Sequence, residues 1–213
     1  MPLLVIGGHT RNIGKTQLVV EIIRAFPEAA WTAVKITQFG HGVCSLNGES
    51  CHCAVDEHTF AVEEERDAGG KSDTSRFLAA GARRSLWART KQGRLAEALP
   101  ALRRELEGAA NVILESNSVL HFLRPDLYLP VLDFSNPDFK QSAREFLDRA
   151  DAYVVLASAR SEPAWDDVSL APLTTRPVFL AWPHQICPPA LQDFLRSRLF
   201  PDWSPDTGDR TPL

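Results

Sequence analysis

Apolar residues along the chain recur at two spacings that alternate. A continuous apolar run at 3–7, closed by glycine, has the form of a strand buried on both faces. Behind it, Leu18, Val19, Ile22, Ile23 and Phe26 share one face of a helix predicted at 16–26, which Pro27 stops. A second strand is predicted at 31–36. Periodicity then vanishes from 37 to 70, where Gly, Cys, His and acidic residues take over, so this stretch reads as an insertion or long functional loop. Order returns with a helix at 73–81, opened by Asp73 as its cap and stopped by glycine, then a strand at 84–88 and an amphipathic helix at 94–106. A buried strand at 111–115 ends in a carboxylate, Glu115. Strands at 127–132, 152–157 and 177–182 alternate with helices at 140–149 and 189–199, and Pro130 assigns the first of them to a sheet edge or a bulge. Alternation of this kind implies a mainly parallel sheet covered by helices on both faces.

Composition narrows the classes. The 213 residues suit one domain, expected over 1–200, with a mobile tail at 201–213 that is rich in Pro, Asp and Thr. A formal charge of −4 gives no basis for bulk binding of nucleic acid, and no apolar run approaches the roughly 18 residues of a membrane span. The first residues carry no basic stretch and lead straight into a loop, so no export signal is read and a cytoplasmic location is expected. The tryptophans are dispersed and assigned to packing, the run Glu63-Glu64-Glu65 to a solvated face, and His121 and His184 to no role.

Between the first strand and its helix lies Gly8-His9-Thr10-Arg11-Asn12-Ile13-Gly14-Lys15-Thr16-Gln17. Its Gly-Lys-Thr, in a strand–loop–helix setting, is the signature of a phosphate-binding loop, in which backbone N–H groups and a helix N-terminus surround an anion. Each of these ten residues is therefore a candidate nucleotide contact. Lys15 would reach the β- and γ-phosphates, and the Thr16 hydroxyl would complete Mg²⁺ coordination. The strict spacing puts the loop's first glycine where His9 stands, which alters the turn or sets an imidazole beside the nucleotide. There is no Asn-Lys-x-Asp stretch for guanine, so GTP and ATP both remain open.

The insertion packs His41, Cys44, Cys51, His52 and Cys53 into thirteen residues, with His58 close behind. Thiolate and imidazole together suit tetrahedral Zn²⁺, for which Cys44, Cys51, Cys53 and His41 are the expected ligands. The spacing matches no standard zinc finger, and it does not separate a structural from a transferable metal.

The loop, the second strand's Val34-Lys35 and the later Gly70-Lys71-Ser72-Asp73-Thr74-Ser75-Arg76, followed by Ala79-Ala80-Gly81-Ala82, resemble the molybdopterin-guanine dinucleotide biosynthesis adapter protein family. The resemblance covers roughly the first 120 residues. It departs at His9, at the Cys/His-rich insertion and at Glu115-Ser116-Asn117-Ser118, where the family has a Glu-Gly-Phe-Lys-like stretch. It implies an α/β, three-layer P-loop nucleoside-triphosphatase fold, a GTP-binding adapter with slow hydrolysis, and a nucleotidyltransferase as protein partner; a homodimer is also envisaged. Beside the resemblance, Asp73 is the candidate switch-like carboxylate and Glu115, at a strand's carboxyl end, the candidate Mg²⁺ or water-positioning group, with Lys15 and Lys35 on the phosphates. Two further readings stay open: a small-molecule phosphotransferase or ATP-dependent ligase, and a metal-handling GTPase.

Overall fold

The computed structural model describes residues 1–39, 59–158, 160 and 162–201. Among these, eight strands form one sheet: β1 (Leu3–Gly8), β2 (Trp31–Phe39), β3 (Phe60–Glu64), β4 (Arg84–Lys91), β5 (Asn111–Glu115), β6 (Leu127–Asp133), β7 (Tyr153–Leu156) and β8 (Val178–Ala181). Their order across the sheet is β3-β4-β2-β5-β1-β6-β7-β8. All neighbours run parallel except β3, which is antiparallel to β4.

Alternate side chains enter two cores. Leu4, Ile6, Ala33, Ile113, Leu129 and Val154 face α1 (Lys15–Ala25), α2 (Asp73–Ala79) and α6 (Pro189–Leu199). Val5, Val34, Val112, Leu114, Leu132 and Tyr153 face α3 (Leu95–Glu105) and the segment holding α4 (Gln141–Arg144). A short α5 (Ala171–Thr175) precedes β8. Central strands buried on both faces read as unbroken apolar runs for this reason. No described helix is long and apolar enough to cross a membrane.

Four expectations change. The stretch 37–70 is not loop throughout: β2 continues to Phe39 and β3 occupies Phe60–Glu64. Phe60 and Val62 pack against the second core while Glu63 and Glu64 pair with Arg89 and Arg84 across the ladder, so the solvated acidic run is partly a strand edge. Pro130 lies on an interior strand. Tyr128, two positions earlier and so turned to the same side, bonds Asp151 with both its N–H and its C=O. Pro130's missing donor thus faces β7 below that ladder's first pair, Val131 with Val154. The helix at 140–149 is two pieces, α4 and a 3₁₀ turn at Leu147–Arg149, because the backbone leaves helical angles at Phe146 (φ −123°, ψ 4°). Ala143, Phe146, Leu147 and Ala150 are nonetheless all buried, which is the spacing that mimicked one helix. Lastly, α2 is capped by Ser72, whose hydroxyl accepts the Ser75 N–H at 2.9 Å, and not by Asp73. The residues 40–58 and 202–213, with the expected metal loop and tail, lie outside the described residues.

Candidate functional site

The loop leaves β1 and enters α1 at the carboxyl ends of the strands, where α/β sheets place ligands. Gly14 opens α1 with φ +86°, a left-handed angle that glycine takes without strain, and a side chain there would also meet Ile186. Asn12 holds a second positive φ of 56°. Asn117 braces the loop's first turn: its side-chain amide accepts the Gly8 N–H at 2.9 Å and donates to the Gly8 carbonyl at 2.8 Å, pairing with one peptide as a strand would.

On one side of the loop, charges are matched. Lys35 and Glu115 are register partners on β2 and β5, so both project from the same face. Lys35 Nζ lies 2.5 Å from Glu115 Oε1, 2.8 Å from Asp73 Oδ2 and 3.3 Å from Thr16 Oγ1, while Thr16 Oγ1 donates to Glu115 Oε2 at 2.9 Å. Glu115 is 3% exposed and Lys35 16%. Burial pulls the Lys35 ammonium's pKa down, but Glu115 and Asp73 outweigh it and raise the value above the ordinary one. Burial alone would raise the Asp73 carboxyl; Lys35 beside it holds it below its usual range instead. Arg76 reaches Asp73 at 3.5 Å and donates to Gln17 Oε1 at 2.7 Å, and the other end of Gln17 donates to Glu21 at 3.0 Å.

Asp73 keeps its place through Glu65. That carboxylate accepts the hydroxyls of Ser72, Thr74 and Ser75 at 2.9 to 3.0 Å and the N–H groups of Arg66 and Asp67 at 3.0 Å. The Asp67 N–H and the hydroxyls hold the Glu65 carboxyl down at about 2. Glu65 therefore ties the entry of α2 to the end of β3, which aims Asp73 at Lys35.

On the other side, His9 corrects the expectation of an imidazole beside the nucleotide. It is wholly buried and does not line the cleft. Its Nε2 accepts the Asp133 N–H at 3.0 Å, so Nδ1 carries the proton and donates to the Asp138 carbonyl at 2.7 Å. Its backbone is spent as well, the N–H on Val131 and the C=O on the Lys140 N–H at 2.8 Å. Burial lowers the pKa of this imidazole, as its acceptor role requires. Thr10 is also turned away from the cleft and donates to Asp138 Oδ2. Gly8, Arg11, Asn12, Ile13, Gly14, Lys15, Thr16, Gln17 and Lys35 do line the cleft, a space of about 620 Å³ shared with Asp73, Arg76, Glu115, Asn117 and Lys140. Lys15 donates to the Thr10 carbonyl at 2.6 Å, and burial lowers its pKa to about 8.

Sequence reasoning missed Asn117, Glu65, Asp138 and Lys140. Asn117 stands in the departure from the family's pattern, and Glu65 sat inside a charge run. Asp138 and Lys140 carry no local signal at all.

The donor set fits Mg²⁺. Thr16, Asp73 and Glu115 offer hard oxygen ligands that converge on one positive centre, which here is Lys35 Nζ. Cys44, Cys51, Cys53 and His41 lie outside the described residues, and among the described residues no three His, Cys, Asp or Glu side chains gather as a metal site.

Together, the mainly parallel sheet and the loop at its carboxyl edge give an α/β architecture consistent with a P-loop nucleoside-triphosphatase fold. No protein-family model matches the chain, and no curated protein does. Among solved structures it is similar to HypB from Helicobacter pylori in complex with nickel, at 14% identity and TM-score 0.44, covering 92% of this chain and 86% of that one. It is similar too to the signal recognition particle 54 kDa protein from Aeropyrum pernix K1 in complex with GDP, at 15% identity and TM-score 0.46, over 93% and 46% of the two chains. LpxK from Aquifex aeolicus in complex with ATP gives 16% identity and TM-score 0.44 over 84% and 53%. This chain thus spans about half the length of the latter two.

Proposed function

We propose that the protein binds a Mg²⁺–nucleoside triphosphate at the loop and hydrolyses it slowly, as an adapter in the assembly of a molybdopterin-dinucleotide-like cofactor beside a nucleotidyltransferase. One observation carries the nucleotide reading: Thr16, Glu115, Asp73 and Lys35 meet at the mouth of the loop, within 3.3 Å of one ammonium. The adapter role is supported by the sequence resemblance alone. In this reading the backbone N–H groups from Ile13 to Thr16 cradle phosphate, and Lys15 exchanges the Thr10 carbonyl for the β- and γ-phosphates. Thr16, Glu115 and Asp73 would hold Mg²⁺, which when bound offsets the charge of the phosphate oxygens. Asp73, the more exposed of the two carboxylates, orients the attacking water, and Lys35 holds it ionised.

The test compares Asp73→Asn and Glu115→Gln with the parent in single-turnover hydrolysis and in triphosphate binding. Hydrolysis falls further than affinity if these groups act on Mg²⁺ and water. Equal losses would assign them to structure. A small-molecule phosphotransferase is the second reading, favoured by the uncharged polar wall of Thr37, Gln38 and Gln92 along the same cleft. Nucleoside diphosphate released only when an acceptor is added would select it. The proposal includes one Zn²⁺ per chain on Cys44, Cys51, Cys53 and His41, argued from ligand chemistry. Metal analysis of the parent and of the three Cys→Ser changes checks it; nucleotide-dependent zinc affinity would mark a metal-handling GTPase.

A further inference from the structure

We infer that Lys140, 25 residues beyond Glu115 at the end of β5 and carried to the loop by His9 and Thr10, is a phosphate-binding residue that adds a cation to the loop's anion site. The inference rests on the nucleotide reading above and extends it to a residue that no motif marks.

The segment after β6 is tied to the loop by four bonds: Asp133 N–H to His9 Nε2, His9 Nδ1 to the Asp138 carbonyl, Thr10 to the Asp138 carboxylate, and Lys140 N–H to the His9 carbonyl. Phe139 and Trp165 pack on the imidazole at ring-centre distances of 5.1 and 4.8 Å and keep water from it. A glycine at position 9 could make none of the side-chain contacts. The residue that departs from the loop's usual pattern is therefore the one that fixes where Lys140 begins.

From that anchor the Lys140 side chain lines the cleft together with Arg11, Lys15 and Ser142. Among the described residues no acceptor lies within hydrogen-bond distance of its ammonium, and Asp138, the nearby carboxylate, is engaged by Thr10. Its strongest charged neighbours are Lys15 and then Arg11. A half-buried ammonium facing like charges is unfavourable, and burial together with those neighbours depresses its pKa to about 8. Packing alone does not call for a cation there, since the bond that holds the segment uses the Lys140 backbone. Lys35, at the other side of the same loop, has its charge met by two carboxylates. The polyphosphate of a nucleotide, lying on Lys15, supplies the missing anion and brings Lys140, Lys15 and Arg11 into charge-assisted bonds.

The experiment measures dissociation constants of ATP, GTP and inorganic tripolyphosphate with Mg²⁺ for the full chain and for Lys140→Gln, Lys140→Arg, His9→Gln and the double change His9→Gln with Lys140→Gln. Lys140→Gln is expected to weaken tripolyphosphate and the preferred triphosphate about tenfold, and Lys140→Arg to restore most of the loss. His9→Gln, checked for folding by circular dichroism, should weaken binding less once Lys140 is already glutamine, because it acts through that residue. Unchanged tripolyphosphate and triphosphate affinity in Lys140→Gln overturns the inference, as does Lys140→Arg binding no better than Lys140→Gln. Lys15→Ala separates the two readings: loss of binding there, with Lys140→Gln intact, sinks only Lys140, whereas no loss in either sinks nucleotide binding at the loop.

Discussion

Lys35 and Lys140 stand at opposite rims of one cleft, and their surroundings are electrostatic opposites. Lys35 is enclosed by Glu115 and Asp73, so its charge is compensated before any ligand arrives. Lys140 faces Lys15 and Arg11, and its nearby carboxylate, Asp138, is also bonded by Thr10. A cation among carboxylates contributes to the fold; a cation among cations costs stability and contributes to binding. The two rims thus divide the work, and substitutions on each should separate folding from ligand affinity.

The largest expected effect lies on the matched rim. Glu115→Gln leaves a buried ammonium short of one charged partner and leaves a single acceptor oxygen where Lys35 and Thr16 now use two, so unfolding free energy should fall by about 3 kcal/mol in a urea titration. A loss below about 1 kcal/mol would mean that Asp73 alone suffices for Lys35, and the comparison would weaken. Next comes Lys15→Ala on the loop itself. Triphosphate affinity should drop more than tenfold, about 1.4 kcal/mol, while the melting temperature of the free protein changes little, because the cost of burying the ammonium goes with its charge. A melting temperature that falls as far as that of Glu115→Gln would erase the distinction between the rims. Thr16→Ala should lower the dependence of triphosphate binding on Mg²⁺ with the fold intact, as read by titration with and without the ion.

The smallest effect concerns Glu65. With its carboxyl held near 2 in the fold against 4.5 for a free side chain, the ionised form is the one the fold prefers. Its contribution is complete above about pH 4.5 and is lost as pH falls from there toward 2. The melting temperature of Glu65→Gln should therefore lie below the parent's at pH 7, with the gap closing between pH 4.5 and 2.5. A gap that stays constant with pH would show that the five hydrogen bonds do not depend on the charge.

Strands legible in the sequence were those buried on both faces, because burial makes them unbroken apolar runs: β1, β5 and the body of β2. Helices α1 and α6 were equally clear, since one stripe of apolar residues faces the sheet at helical spacing. The strand β3 was hidden because only Phe60, Ala61 and Val62 carry an apolar signal before the acidic residues, and its pairing with β4 is what orders it. Pro130 misled for a related reason: a missing N–H marks an edge only where that side of the strand would have been paired.

The sequence by itself determined the loop between β1 and α1 and the carboxylate at the end of β5, since a strand–loop–helix turn and a strand end are local features written in adjacent residues. Tertiary structure alone decided which charges meet. Lys35 finds Glu115 through strand register across 80 residues, Glu65 gathers three hydroxyls from the next helix, and His9 turns from the cleft to grip a loop 129 residues away at Asp138. Coulomb and hydrogen-bond terms act over a few ångströms of space whatever the separation along the chain. Residues that matter through such contacts, Asn117 and Lys140 among them, become visible only when the sheet has brought its strand ends together.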